Sequence, residues 1–414
     1  MLFDLDNKYI KSHLGEAEFG IERESLRVTS DGALAQTKHP FGEHKNIDRD
    51  FCENQVEIIG DVFNTPEELI GQLLELENEI DAELVKNNEY LWPFSNPPRF
   101  GSENEIPVAD FRGSLRSKSL YRYYLAEKYG KKKMLFSGIH LNFSFSNGLL
   151  HTAFEQSGEK IFTAFKNDLY LRLSKRLTQY AWLVVFLTAA SPVADNSLGI
   201  KSDLYYSIRC SEHGYWNTFT PILDYTSLKN YIVSIARYIE SGKLKAASEL
   251  YYPVRVKPRG ANSLETLLQN GINHIELRVL DVNPLTRAGI FAEDIRFIHV
   301  LLLYLSSLPD FDFDKETQTA AIADIKKAAV FGSAEYKLRT KEELAKIKTF
   351  TECYLPEYIS VVERQLEKLS DGGSYPEIIS REFGGDYMNK GLALARKYQR
   401  GESDVLDFRR FLAE

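Results

Sequence analysis

Four segments of the chain alternate apolar and polar residues, the period-2 signature of half-buried strands. In 19–28, Glu22 and Glu24 stand two apart and so share a side, roughly 7 Å from each other. In 55–59, Glu57 stands between Val56 and Ile58. In 136–145, Ile139, Leu141, Phe143 and Phe145 make one face, while Gly138, His140, Asn142 and Ser144 make the other. In 273–282, Ile275, Leu277 and Val279 oppose His274, Glu276 and Arg278. Helical spacing appears elsewhere. Thr65-Pro66-Glu67-Glu68 opens a helix with a cap residue, a first-turn proline and acids at the positive dipole end, and its apolar stripe is Leu69, Leu73, Leu76, Ile80 and Leu84. A second helix runs over about 291–308 and stops at Pro309, and beyond the acidic stretch 310–314 the pattern is helical to Glu414. These elements predict an α+β fold, a mostly antiparallel sheet with helices on its apolar side and a helical C-terminal region.

The polar side of that sheet would carry four carboxylates, a histidine and an arginine. A solvent face favours Lys and Thr over Glu, His and Asn, so the four strands together point to a site. Carboxylates and imidazole without thiols suit hard divalent cations such as Mg²⁺ or Mn²⁺. Such cations are usually shared with substrate phosphates, which points to a nucleotide.

Composition narrows the classes. The 414 residues hold 51 Lys and Arg against 59 Asp and Glu, a net charge of −8 that argues against a nucleic-acid partner. Length alone admits two or three domains at about 150 residues each. No repeat or flexible linker divides the chain, so one catalytic domain is expected over 1–414, with a sheet core at about 15–305 and a helical layer at about 310–414. Cys52, Cys210 and Cys353 are too scattered for a thiol zinc site or a disulfide framework, and Cys52, between Asp50 and Glu57, reads as a buried structural thiol. The opening MLFDLDNKYIKSH has no apolar core for a signal peptide, and the longest apolar run, 181–190, is far short of the ~20 residues that span a bilayer. A cytoplasmic protein with no membrane partner is expected, a monomer or small homo-oligomer.

No GxxxxGK[ST], GxGxxG or GxSxG motif is present. Positive charge does occur in strand-like segments, Arg255 and Lys257 within 251–257 and Arg209 within 207–210, each of which alone reads as a surface or ion-pair residue. The residues by themselves reach a metal-dependent enzyme that handles phosphate on an open sheet.

Beyond that, Gly20-Ile-Glu-Arg-Glu-Ser-Leu-Arg-Val28 resembles the opening motif of bacterial glutamate–cysteine ligases. Further blocks follow in the same order: Asp50–Glu57, Leu91-Trp-Pro-Phe-Ser95, Ser137-Gly-Ile-His-Leu-Asn-Phe-Ser144, Ser207–Arg209 with Gly214-Tyr215, Leu250–Arg255, and Ile275–Pro284. The resemblance covers roughly 15–305, and more loosely 387–398. It implies a fold like glutamine synthetase, an antiparallel sheet curved into a funnel. It implies ATP-driven ligation of the γ-carboxylate of L-glutamate to the α-amine of L-cysteine through a γ-glutamyl phosphate, the first step of glutathione biosynthesis. By the family's pattern Glu22, Glu24, Glu57, His140 and Glu276 would hold the divalent ions. Arg278, and less strongly Arg255, would face the transferring phosphoryl group. Asp50, Tyr121, Arg209, Tyr215 and Tyr251 would line the amino-acid pockets.

Three positions depart from the pattern: Met134 where some members carry Gln, Leu141 where Tyr is common, and Trp216 after Tyr215. They raise the alternative of another small amine or amino acid as acceptor. The chain carries no ATP-grasp extension of the kind some relatives use to add glycine, so only the first step is expected of it, unless it is the ligase half of a bifunctional enzyme. A non-catalytic sensor would have no need of five metal ligands.

Overall fold

The computed structural model describes residues 2–402. Its sheet is built from β1 (Ala17–Thr29), β2 (Ile47–Arg49), β3 (Gln55–Ile59), β4 (Glu89–Leu91), β5 (Gly138–Phe145), β6 (Val254–Lys257) and β7 (His274–Asp281). The order is β2-β3-β1-β5-β7-β6, with β4 paired to the far end of β1. Every pairing among these strands is antiparallel. The four alternating segments are all strands. β2 and β4 are three residues each, too short for alternation to reveal. The strand-like reading of 207–210 is corrected, since that segment is a turn, and in 251–257 the strand begins only at Val254.

Alternation decides which face is buried. Phe19, Ile21, Ile139, Leu141, Phe143, Phe145, Ile275 and Leu277 all enter one large apolar core. Leu141 therefore lies on the side away from the polar face, which corrects its standing as a pocket departure. The helix Pro66–Leu84 begins as expected, with the Thr65 hydroxyl accepting from the Glu68 amide, and it buries the predicted stripe. The apolar run at 181–190 ends a 27-residue helix, Phe162–Thr188, that is buried nearly all round. It packs against Ala292–Ser307, Lys315–Ala328, β6 and β7. Among the described residues no helix is long and apolar enough to cross a membrane.

Two matched blocks without obvious chemistry meet each other. Trp92, of the Leu91–Ser95 block, is fully buried against Tyr387, with ring centroids 5.4 Å apart and edge-on. The Tyr387 hydroxyl donates to the Asn96 carbonyl at 2.7 Å. A Cβ at Gly391 would come within 2.4 Å of the Trp92 ring, so only glycine lets the helix Tyr387–Gln399 lie this close. These contacts seat the C-terminal helices on the edge of the sheet. The expected helical layer is present as Lys315–Ala328, Ala334–Tyr354, Ile359–Glu367, Tyr375–Phe383 and Tyr387–Gln399, while 403–414 lies outside the described residues.

Candidate active site

The polar face of the sheet is the wall of a cleft of about 250 Å³. All twelve residues singled out from the sequence line it, together with Lys257, Lys133, Met134, Ser248 and Asn262 among others. Their placement follows from register. Glu22 stands opposite His140 across β1 and β5, Glu24 opposite Glu57 across β1 and β3, and Arg255 opposite Glu276 across β6 and β7.

One half of the cleft is acidic. The Nδ1 atom of His140 is 3.1 Å from Glu22 and its Nε2 is 3.9 Å from Glu24. The Gly138 amide donates to Glu24 at 2.8 Å. Burial, then the nearby Asp50, pushes Glu24 up to about 8. Burial, Asp50 and Glu22 push Glu57 well above the usual carboxylate range. Glu22 is an exception: burial raises it, but the hydrogen bond with His140 holds it below its ordinary value. Burial, then Arg278, keeps His140 low and neutral.

The other half is basic. Glu276 is 0% exposed and lies between Arg255 Nε at 3.1 Å, Arg278 Nη1 at 3.2 Å and Lys257 Nζ at 3.2 Å. Against the cost of burial, Arg255 above all holds Glu276 well below the usual range. Arg255 is anchored by the carbonyls of Leu250, at 3.2 Å, and Ser248, at 3.4 Å. Arg278 is aimed by a β-bulge: between the pairs Ile139↔Leu280 and Leu141↔Leu277, β7 sets Arg278 and Val279 against the single residue His140.

Beyond Arg278 the cleft becomes aromatic. The Tyr215 hydroxyl donates to that of Tyr251 at 2.8 Å, and Ser248 donates to the Tyr121 hydroxyl at 3.1 Å. The Arg209 guanidinium is held by the carbonyls of Leu280 and Arg278, both at 3.1 Å, and has no carboxylate partner among the described residues. A Cβ at Gly138 would lie 1.9 Å from that guanidinium, which explains the glycine of the Ser137–Ser144 block. Met134 is buried in the cleft wall. Trp216 is not in this cleft: its indole N–H donates to the Ser211 carbonyl at 2.7 Å and Lys326 covers its ring, behind Tyr215. Cys52 is buried in an apolar cluster outside the cleft, and burial pushes its thiol far up.

The residues present fit a hard divalent cation. Glu22, His140 and Glu276 each offer a ligand atom within 4.8 Å of the others. The Glu57 carboxylate has no hydrogen bond or ion pair among the described residues, and neither oxygen of Glu276 has an aligned hydrogen-bond donor despite three cations at ion-pair distance. Oxygen donors with a single imidazole match Mg²⁺ or Mn²⁺ rather than Zn²⁺.

The model of the glutamate–cysteine ligase family matches residues 2–327. The chain belongs to that family. It is 32% identical to a glutathione biosynthesis bifunctional protein of Clostridium perfringens, over 95% of this chain and 55% of that protein. A bifunctional glutathione synthetase from Pasteurella multocida superposes with a TM-score of 0.87 at 29% identity, over 97% of this chain and 55% of that one. A glutamate–cysteine ligase from Francisella tularensis, solved in complex with AMP, shares the fold with a TM-score of 0.84 at 24% identity, over 95% and 90% of the two chains. The chain spans about half the length of the curated relatives it matches.

The acidic half makes stability depend on pH. A carboxylate whose folded pKa is raised favours the folded state below its unfolded value and loses that contribution as pH rises through the folded value. Glu24, at about 8 against an ordinary 4.5, loses it up to pH 8, with Glu57 acting in the same direction. His39, His140, His274 and His299 are all held low, so their opposing gain is half complete at the ordinary imidazole value of 6.5 and nearly complete about one pH unit above it. Urea denaturation in EDTA is therefore expected to show stability falling from about pH 7.5 through 8, with Mg²⁺ flattening the slope. A metal-free stability that rises over this window contradicts the electrostatics described.

Proposed function

We propose that this chain joins the γ-carboxylate of L-glutamate to the α-amine of L-cysteine, driven by ATP, as the first step of glutathione biosynthesis. The observation that carries the reading is the division of one cleft into an acidic and a basic half, with Glu276 at the border, in a chain of the glutamate–cysteine ligase family. Acid clusters suit cations and basic clusters suit phosphate. A ligase of this type needs both within reach of one carboxylate substrate.

Glu22, Glu24, Glu57, His140 and Glu276 would hold Mg²⁺ or Mn²⁺, which when bound supplies neutralisation of charge between the triphosphate and the attacking carboxylate. Arg278, with Arg255 beside it, stabilises charge on the phosphoryl group as it passes from ADP to the glutamate γ-oxygen. Asp50 has no side-chain hydrogen bond or ion pair among the described residues and suits a substrate ammonium. Arg209, held by carbonyls and the Cys210 sulfur with no carboxylate partner among the described residues, suits a substrate carboxylate. Tyr121, Tyr215 and Tyr251 close the amino-acid end and exclude water, which protects the acyl phosphate until the amine attacks and phosphate leaves. No nucleophilic side chain is required, and no cysteine lines the cleft among the described residues. The C-terminal helices, seated on Trp92 and on Phe162–Thr188, belong to the same catalytic unit in this reading, which operates in the cytoplasm.

Glutamate labelled with ¹⁸O in its γ-carboxylate tests the chemistry. The attacking oxygen leaves on phosphate, so one label per turnover is expected in the released phosphate. Unlabelled phosphate would contradict an acyl phosphate.

A further inference from the structure

The basic half of the cleft holds more positive charge than its own carboxylate neutralises. Arg255, Lys257 and Arg278 all lean on Glu276. Arg255 has carbonyl partners besides, and Arg278 lies 3.4 Å from His140. Lys257 is different. Its ammonium carries three donors, and among the described residues the Oε1 atom of Glu276 is its single partner, 3.2 Å away. The side chain is 12% exposed and lines the cleft, so its remaining donors face the space a ligand would fill.

Position says what the missing partner is. Lys257 stands opposite His274 at one end of the β6–β7 ladder. The amino-acid end lies the other way, where Arg209 holds the carbonyls of Arg278 and Leu280. Arg278 thus sits at the centre of the cleft, and Lys257 lies beyond Glu276 on the side away from the tyrosines. Both tips touch the same carboxylate, so they fall within the span of one triphosphate. We propose that Lys257 binds the β-phosphate of the nucleotide, next to the group transferred, and that its contact with Glu276 is the resting state from which a bound triphosphate draws it. This rests on the ligase reading above.

The proposal has an unusual signature because Lys257 opposes cations at Glu276 while attracting phosphate. In Lys257→Gln, calorimetry with Mg²⁺ and a non-hydrolysable ATP analogue is expected to show affinity lower by about 10–100-fold, the usual worth of a charged phosphate contact. AMP affinity stays within about twofold, since AMP lacks the phosphate in question. Mn²⁺ without nucleotide, followed by electron paramagnetic resonance, binds more tightly, because Glu276 has lost a competing cation. Lys257→Arg keeps the charge and most of the affinity for the analogue. A merely structural lysine would weaken analogue, AMP and Mn²⁺ together, and that result overturns the proposal, as does an unchanged ratio of analogue to AMP affinity. Wild-type protein that binds the analogue no better than AMP would instead sink the ligase reading itself, and this inference with it.

Discussion

Arg278→Ala is expected to lower turnover by about 10²–10³-fold, the effect of removing one preorganised donor aimed at developing charge. The fold survives, because Arg255 and Lys257 remain on Glu276, at 3.1 and 3.2 Å. The Michaelis constants for ATP and glutamate change far less than turnover does, since the guanidinium acts on the group being transferred rather than on groups bound equally before and during transfer. The bulge opposite His140 makes Lys a poor replacement here. The Nη1 atom of Arg278 alone meets both Glu276 and His140, and the planar guanidinium carries further N–H donors beside it that a lysine ammonium does not hold in one plane. Steady-state kinetics of the Ala and Lys variants check this. Near-normal turnover from folded Arg278→Ala protein would remove Arg278 from the chemistry.

The second large effect is on stability. Glu276→Ala leaves Arg255, Lys257 and Arg278 facing one another in a largely buried site with no shared anion. Breaking a buried ion pair by removing one partner costs about 3–5 kcal/mol, mostly from the charge left uncompensated. Urea denaturation is expected to show a loss of that size with an unchanged slope. Inorganic tripolyphosphate, which can take the place of the carboxylate among the three cations, is expected to restore part of it. A loss below about 1 kcal/mol would mean that the three cations are already solvated.

Much of this site is legible in the sequence because strands report their faces directly. Period-2 alternation put Glu22, Glu24, Glu57, His140 and Glu276 on one side, and antiparallel pairing brought them to one cleft. Other features depend on pairing that no local pattern encodes. Lys257 lies two residues from Arg255 on the same strand, yet its contact with Glu276 exists only because β6 meets β7 in this register. The extra residue that aims Arg278 is equally invisible without its partner strand. The turn at 207–210 resembled a strand because Ile208 and Cys210 alternate with polar neighbours, but its buried serines bond to one another and to nearby backbone rather than to a sheet. Leu141 looked like a pocket departure by adjacency alone, whereas Trp216 does stand near the pocket, in an adjoining cavity shared with Tyr215 and Tyr251. Alternation sends Leu141 to the core, and Trp216 turns behind Tyr215.

The most direct test of the central claim is ADP release with ATP, Mg²⁺ and L-glutamate across a panel of acceptors: cysteine, 2-aminobutyrate, serine, alanine and simple amines. Strong turnover with cysteine or 2-aminobutyrate, and little with the rest, is the predicted result and makes Met134 a neutral change in the cleft wall. Turnover confined to another amine would keep the mechanism and move the substrate. No ADP with any acceptor, from folded and metal-loaded protein, would contradict the account.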